Sequence, residues 1–266
     1  MSVEEATRVI QYEVDGPVAT IWFNRPEVKN CVNWDLLMGL GEYLERAEED
    51  DDVRAVVIRG RGNTFCAGAD LNMLDSQFLG TTNQSVKIAQ ISARTFDRAF
   101  NLSKPTIAVV EGFAVAGGFE LFISCDFAVV EDTARIGDFH IRRALFGGAG
   151  PIYRLPRMIG IRKTKELMLT GKLLSGVEAT DFGLINKSAP GAELDATVEE
   201  FISHLTDKSP FQMRITKMTI DRSLEADIQS LMVMEHLAVG VTLNSEDAAE
   251  GVAAFLEKRE PKWKGR

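Results

Sequence analysis

Histidine and cysteine are scarce in this sequence, three of each among 266 residues. They stand at Cys31, Cys66, Cys125, His140, His204 and His236, with no Cys-x-x-Cys and no His-Glu-x-x-His spacing, so no metal site is expected. An odd number of widely spaced cysteines in or beside apolar segments argues against a disulfide framework. It fits reduced thiols in a cytoplasmic protein. Positive charge is also short: 30 Lys and Arg face 39 Asp and Glu, giving a net charge of −9 and a pI near 5.0. Without a dense Lys/Arg run, nucleic acid is not an expected partner, and any anionic ligand needs a local basic patch. Residues 1–14 are polar and acidic and lack the basic-then-apolar pattern of a secretory signal. The longest apolar stretch, residues 113–130, has about the length of a membrane span. It contains Glu120, Asp126 and a glycine pair, and is read as buried core rather than a membrane segment.

What is present suits one large α/β fold. Hydrophobic residues make up 45% and charged residues 26%, a globular balance in a chain long enough to bury a substantial core. Residues 8–14 and Val18–Phe23 flank Asp15-Gly16-Pro17 and predict a β-hairpin. Asn33 is the expected N-cap of a helix over 35–47, where Leu36, Leu37, Leu40 and Leu44 recur at helical spacing. Residues 55–58 form a continuous apolar strand of the kind buried on both faces. A helix over 86–102 and a strand at Thr106–Val110 follow, and then Gly117-Gly118 opens a helix ahead of a strand at 126–130. Helices are expected at 151–158, 163–169 and 177–182, with a short strand near 185–188. The remainder to residue 258 reads as helical. There is no fixed-period repeat and no evident linker; the division expected is a core over 1–195 and a helical region over 196–266.

Two strand exits carry small residues: residues 57–60 lead to Phe65-Cys66-Ala67-Gly68-Ala69-Asp70, and residues 108–112 lead to Ala114-Val115-Ala116-Gly117-Gly118. Small residues let a ligand approach the backbone, and unpaired amides of a first helical turn point at it where the helix dipole favours negative charge. Two such amides on one oxygen make an oxyanion hole, each donor contributing about 2.7–4 kcal/mol to the rate. The plainer reading is that these glycines only permit turns and close packing.

Glu120 sits among Phe119, Leu121, Phe122 and Ile123. Burial there raises a carboxyl pKa toward the range useful for acid–base work. The alternative is a glutamate on a solvated face, or one paired with Arg142 or Arg143. Gly60-Arg61-Gly62 hints at a dinucleotide loop, but Phe65 stands where the third glycine belongs and the acidic residue about twenty positions on is missing. NAD binding is rejected.

At these residues the chain resembles the crotonase superfamily, the enoyl-CoA hydratase/isomerase family. The resemblance rests on Asn24-Arg25-Pro26 with Asn30 and Val32-Asn33, on residues 65–71 (FCAGADL), and on residues 112–121 (GFAVAGGFEL) with Cys125-Asp126. It continues through Arg154-Leu155-Pro156-Arg157 with Gly160, Leu169-Thr170-Gly171, and Glu250-Gly251 with residues 255–259, in family order over essentially the whole chain. It implies an α/β spiral of ββα turns, with a helical C-terminal region that builds homotrimers, often paired into hexamers. It implies an acyl-CoA thioester as substrate, no separate cofactor, and the amides of Ala69 and Gly117 as the oxyanion hole. Ala67, Gly68 and Asp70 would line the CoA path with Lys29 near the adenine, and Phe255 and Lys258 would reach the CoA of a neighbouring subunit.

Family hydratases flank the substrate with two glutamates. The first corresponds to Glu120, whereas the second, in a G-x-x-E pattern, is replaced in Gly137-Asp138-Phe139-His140 by His140. A histidine shuttles protons near neutral pH, and Asp138 is a candidate to orient it; the plainer reading is a pocket histidine with no catalytic part. The leading expectation is an enoyl-CoA hydratase-like lyase using Glu120 and His140. The alternatives are C–C hydrolysis of a cyclic β-keto acyl-CoA or decarboxylation, and an acyl-CoA-binding protein that has lost catalysis. The acyl pocket is expected from Met73, Leu74, the segment 77–86, Phe139, Leu145 and Phe146.

Overall fold

In the computed structural model the described residues are 9–77 and 81–266, the side chains of 75–77 excepted. The hairpin forms as expected: β1 (Ile10–Asp15) pairs antiparallel with β2 (Val18–Phe23), with Asp15 opposite Val18. Four more strands add in parallel: β3 (Ala55–Gly60), β4 (Thr106–Val110), β6 (Phe127–Glu131) and β8 (Lys187–Ala189), in the order β1-β2-β3-β4-β6-β8. A sheet of this kind needs cover on both faces, and strand alternation divides the labour. Val56, Ile58, Ala108 and Val110 face one cluster, built with Phe23, Phe65 and Phe96. Ala55, Val57, Ile107, Val109 and Val129 face the other.

Helix α1 (Trp34–Glu49) covers the first face. Asn33 caps it by accepting from the Leu36 amide at 3.0 Å, and Leu36, Leu37, Leu40, Leu44 and Ala47 are buried. Next come α2 (Leu71–Gln77) and α3 (Thr82–Asn101), the latter starting four residues before the expected 86. The second face is covered by α8 (Leu194–Thr206), which buries Leu194, Val198 and Ile202 at four-residue spacing. The expected division after residue 195 falls in the first turn of this helix.

Two strands that the sequence does not announce, β5 (Phe113–Val115) and β7 (Arg135–Gly137), pair in parallel to form a second, smaller layer. Bridges Cys66↔Ala114 and Val32↔Ala69 extend this layer on one side and Ile136↔Leu174 on the other. After β2, β3, β4 and β6 the chain thus passes through a short segment of the second layer before reaching a helix. After β4 and β5 comes α4 (Gly117–Phe122). After β6 and β7 come a 3-10 turn (His140–Arg143), α5 (Pro151–Ile159), α6 (Ile161–Thr170) and α7 (Gly176–Phe182). This is the expected ββα spiral.

The C-terminal helices are α9 (Pro210–Arg222), α10 (Ile228–Leu243) and α11 (Glu246–Glu257). Their starts are capped by Ser209, Asp227 and Ser245. A cavity of about 670 Å³ separates α9 from the core; it is lined by Phe100, Ile123, Met158, Met213 and the Asp126–Lys217 pair, and contains neither Glu120 nor His140. No helix among the described residues is long and apolar enough to cross a membrane.

Candidate active site

The two glycine-rich exits meet in the second layer. The loop after β3 is tied to residues 29–32 by Ala67 N–H to Lys29 O (3.0 Å), Val32 N–H to Gly68 O (2.8 Å) and Asp70 N–H to Val32 O (2.9 Å). The Gly68 amide donates to Cys66 Sγ (3.4 Å), and the amide of Ala69 has no hydrogen-bond partner among the described residues. Arg25 clamps the same loop from Asn-Arg-Pro: its Nη2 lies 2.9 Å from Asp70 Oδ2, which holds the Asp70 carboxyl below the usual carboxylate range. Lys29 lies alongside, its Nζ 4.6 Å from the centre of the Phe113 ring.

Facing this loop, Ala116 precedes α4 with φ +50° and ψ −120°, a conformation costly for any residue with a Cβ. It turns the chain so that the Gly117 amide starts the helix unpaired. The fit is close on both sides. A Cβ on Gly118 would lie 2.2 Å from Cys66 O, and one on Gly117 would lie 3.5 Å from the Ala69 nitrogen. The amides of Ala69 and Gly117 are thus neighbours across a narrow gap. Cys66, buried beneath them, has its thiol pushed up to about 12 by loss of solvent; it, Cys31 and Cys125 are all free.

Glu120, one turn into α4, is buried at 5% exposure. Neither Arg142 nor Arg143 pairs with it; Arg142 Nε donates to Gly171 O instead. Its partner is the Ala149 amide, which donates to Oε1 at 2.9 Å. Burial raises the Glu120 pKa, and the opposing pull of His140 and the Ala149 N–H does not cancel that.

His140 stands at the start of the 3-10 turn after β7, half-buried. Its Nδ1 lies 2.7 Å from Asp138 Oδ1, which also accepts from the His140 amide at 3.0 Å. Burial disfavours the charged ring, but Asp138 and the negative charge of Glu120 outweigh it, so the pKa lies above the ordinary 6.5. Gly147 lies between Glu120 and His140: a Cβ there would sit 2.9 Å from Glu120 Oε1 and 3.1 Å from His140 Nδ1. A side chain at 147 would displace the ends of Glu120 and His140.

The fold therefore brings together Lys29, Ala67, Gly68, Ala69, Asp70 and Gly117 on one side, and Glu120 with His140 on the other. Phe255 on α11 and Lys258, which caps its C-terminus, are exposed, Phe255 to 83%, and no bond or ring contact joins them to these residues. Of the expected acyl pocket, Met73 is buried, Leu74, Phe139 and Leu145 are half-buried, and Phe146 is 76% exposed. Residues 78–80 lie outside the described residues.

A family model described as enoyl-CoA hydratase/isomerase matches residues 13–266. The chain belongs to the enoyl-CoA hydratase/isomerase family. Among its relatives, short-chain-enoyl-CoA hydratase of Clostridium acetobutylicum is 32% identical, over 93% of this chain and 94% of the relative. Human enoyl-CoA hydratase domain-containing protein 2, mitochondrial, is 36% identical over 95% and 87%. The solved structure of an enoyl-CoA hydratase from Bacillus anthracis superposes with a TM-score of 0.92 at 31% identity, covering 97% of this chain and all of that one. The crotonase spiral expected from the motifs is the fold of this family member.

Sequence reasoning missed three features of the site: Arg25 as the clamp of Asp70, the Ala149 amide on Glu120, and the gap at Gly147. The Gly147-Gly148 pair was a readable signal for the last, since consecutive glycines outside a hairpin mark close approach.

Proposed function

We propose that this enzyme of the enoyl-CoA hydratase/isomerase family is a lyase that adds water to an enoyl-CoA thioester. The observation that carries the reading is the pair of unpartnered amides, Ala69 and Gly117, facing a buried carboxyl and an imidazole. A thioester C=C accepts water only if the negative charge passed to the carbonyl oxygen is held. In this reading Glu120 takes a proton from water as the water oxygen bonds to Cβ, and the π electrons move through Cα to the carbonyl oxygen between the two amides. The enolate then returns the electron pair to Cα, which takes a proton from His140. Glu120 hands its proton to His140 when the product leaves, and the site is restored.

Ala67, Gly68, Asp70 and Lys29 are assigned to the CoA path, CoA being part of the substrate. Lys29 supplies positive charge in a chain of net charge −9. Phe255 and Lys258 are assigned to the CoA of a neighbouring subunit, which agrees with their exposure on a terminal helix. The oligomer proposed is a homotrimer or a dimer of trimers, and the location cytoplasmic. The exposed apolar surface of α10 supports association, since Ile228, Val233, Leu237, Val239, Val241 and Leu243 are each more than half exposed.

A second reading, C–C hydrolysis or decarboxylation of a cyclic acyl-CoA, draws on the histidine at the second acid–base position. One experiment separates the two. Straight-chain enoyl, cyclic enoyl, β-keto-cyclic and malonyl-type CoA esters are incubated with wild type, Glu120→Gln and His140→Ala, and products are read by mass. Gain of one water on an enoyl ester, lost by about 10²–10⁴-fold in both variants, is the expected result. Ring opening or loss of carbon dioxide would move the assignment to the second reading, and full turnover by Glu120→Gln would overturn the roles assigned to Glu120 and His140.

A further inference from the structure

The turn that carries His140 is built by Asp138. Strand β7 ends at Gly137, and the chain leaves it through Asp138 and Phe139 into the 3-10 turn. Asp138 is 3% exposed, and its Oδ1 accepts the His140 amide at 3.0 Å, the local bond typical of an aspartate two residues before a turn. The same oxygen lies 2.7 Å from His140 Nδ1. An ionised carboxylate only accepts, so the ring must donate from Nδ1. No group among the described residues bonds Nε2 of His140. One carboxylate oxygen thus fixes both the backbone and the ring of the residue at the second acid–base position.

We propose that Asp138 is the positioning residue of this site, holding the Nδ1 proton of His140 so that Nε2 is the atom that exchanges a proton with the acyl group. The proposal deepens the hydration reading and rests on it for the word acyl. A glutamate at this position acts through its own carboxyl. In this chain the function is divided: the imidazole transfers the proton, and the carboxylate behind it sets which nitrogen does so. The logic is that of a carboxylate behind a general-base histidine, where loss of the carboxylate's charge leaves the geometry intact and the tautomer wrong. The charged groups facing the ring are Asp138 from the strand exit and Glu120 from α4. Arg142 and Arg143 of the same turn lie with their guanidinium carbons 5.5 Å from the Phe139 ring centre, and Arg142 is bonded to Gly171 O. Glu120 Oε1 and the imidazole border the same space at Gly147, where an added Cβ would lie 2.9 Å from the one and 3.1 Å from Nδ1 of the other.

A merely structural Asp138 would hold the turn and leave the ring chemistry alone. Asparagine separates the two, because its amide oxygen still accepts the His140 amide but carries no charge. The chain has three histidines, so ring nitrogens can be followed by NMR in free protein labelled with ¹⁵N-histidine, the His140 signals being those absent from His140→Gln. In wild type the expected neutral form carries its proton on Nδ1, with Nε2 as the titrating atom and a midpoint above 6.5. In Asp138→Asn the midpoint falls to lower pH, and kcat at pH 7 drops by roughly 10²-fold while KM changes little. A wild-type neutral form with the proton on Nε2 would overturn the proposal, and so would an unmoved midpoint in Asp138→Asn. The wild-type tautomer decides by itself if the variant does not fold. Because these signals are read without turnover, they stand or fall separately from the hydration assignment, which the CoA-ester products test.

Discussion

Helices α1 and α10 are both sixteen residues long and both rich in apolar side chains, yet they sit in opposite circumstances. Along α1 the leucines occupy one face, five of its apolar side chains vanish into the core, and charged residues fill the other side. On α10 apolar residues run all the way round and none is buried. A helix of the first kind is stabilised by its own chain. A helix of the second kind is complete only when something else covers it. The spiral and the site within it are thus self-sufficient in their packing, while the terminal helices present a surface that fits the proposed trimer.

The comparison can be tested hardest in the core. Phe65 is fully buried beside Phe23, ring centres 5.8 Å apart; Phe65→Ala should cost about 3–5 kcal/mol in denaturant unfolding, independently of protein concentration. Gly118→Ala forces a methyl against Cys66 O and should cost about 1–3 kcal/mol. It should also lower kcat more than it raises KM, because the displaced backbone carries both amides of the proposed oxyanion hole. Leu237→Glu on α10 reverses the pattern. The isolated protomer should change by no more than about 0.5 kcal/mol, while sedimentation over a concentration series should shift from oligomer to monomer. An unchanged sedimentation profile would argue that α10 is not the contact surface.

The pH profile sharpens the comparison from the catalytic side. If Glu120 must be ionised to accept water's proton, the rate rises with pH through a pKa held above the ordinary 4.5 by burial. If His140 must be charged to deliver one, the rate falls as pH passes its own raised pKa, above 6.5. A bell with both limbs displaced upward is the expected kcat profile, and His140→Ala should lose the alkaline limb. The smallest effect belongs to the terminal surface: Arg222→Ala removes an exposed i,i+3 pair with Glu225 and should cost only about 0.2–0.5 kcal/mol.

Much of this was legible because physical pattern and local chemistry agreed. Alternating strands, the Asn33 cap and the leucine stripe of α1 announce themselves within a few residues. So does Glu120, since a carboxyl amid Phe119, Leu121 and Phe122 has few places to go. The second layer was not legible, because β5 and β7 are three residues each and lack room for any periodicity. The spiral also leaves no period in the sequence, since its helices range from six residues in α4 to twenty in α3. The support of the site was hidden for a different reason. Ala149 reaches Glu120 through a backbone amide, which carries no residue-type signature, and Arg25 meets Asp70 across 45 positions.

The backbone at Ala116 has one more consequence, for the kinetics of encounter. Glycine would adopt its positive φ freely, but it would also let the turn sample other shapes before a ligand arrived. An alanine held there by the bond from its amide to Gly137 O fixes the direction of the Gly117 amide in advance. If the turn is already in its bound form, capture of a thioester carbonyl should follow a single exponential whose rate climbs linearly with ligand concentration. Ala116→Gly should introduce a second, concentration-independent phase as the loosened turn searches for its bound form.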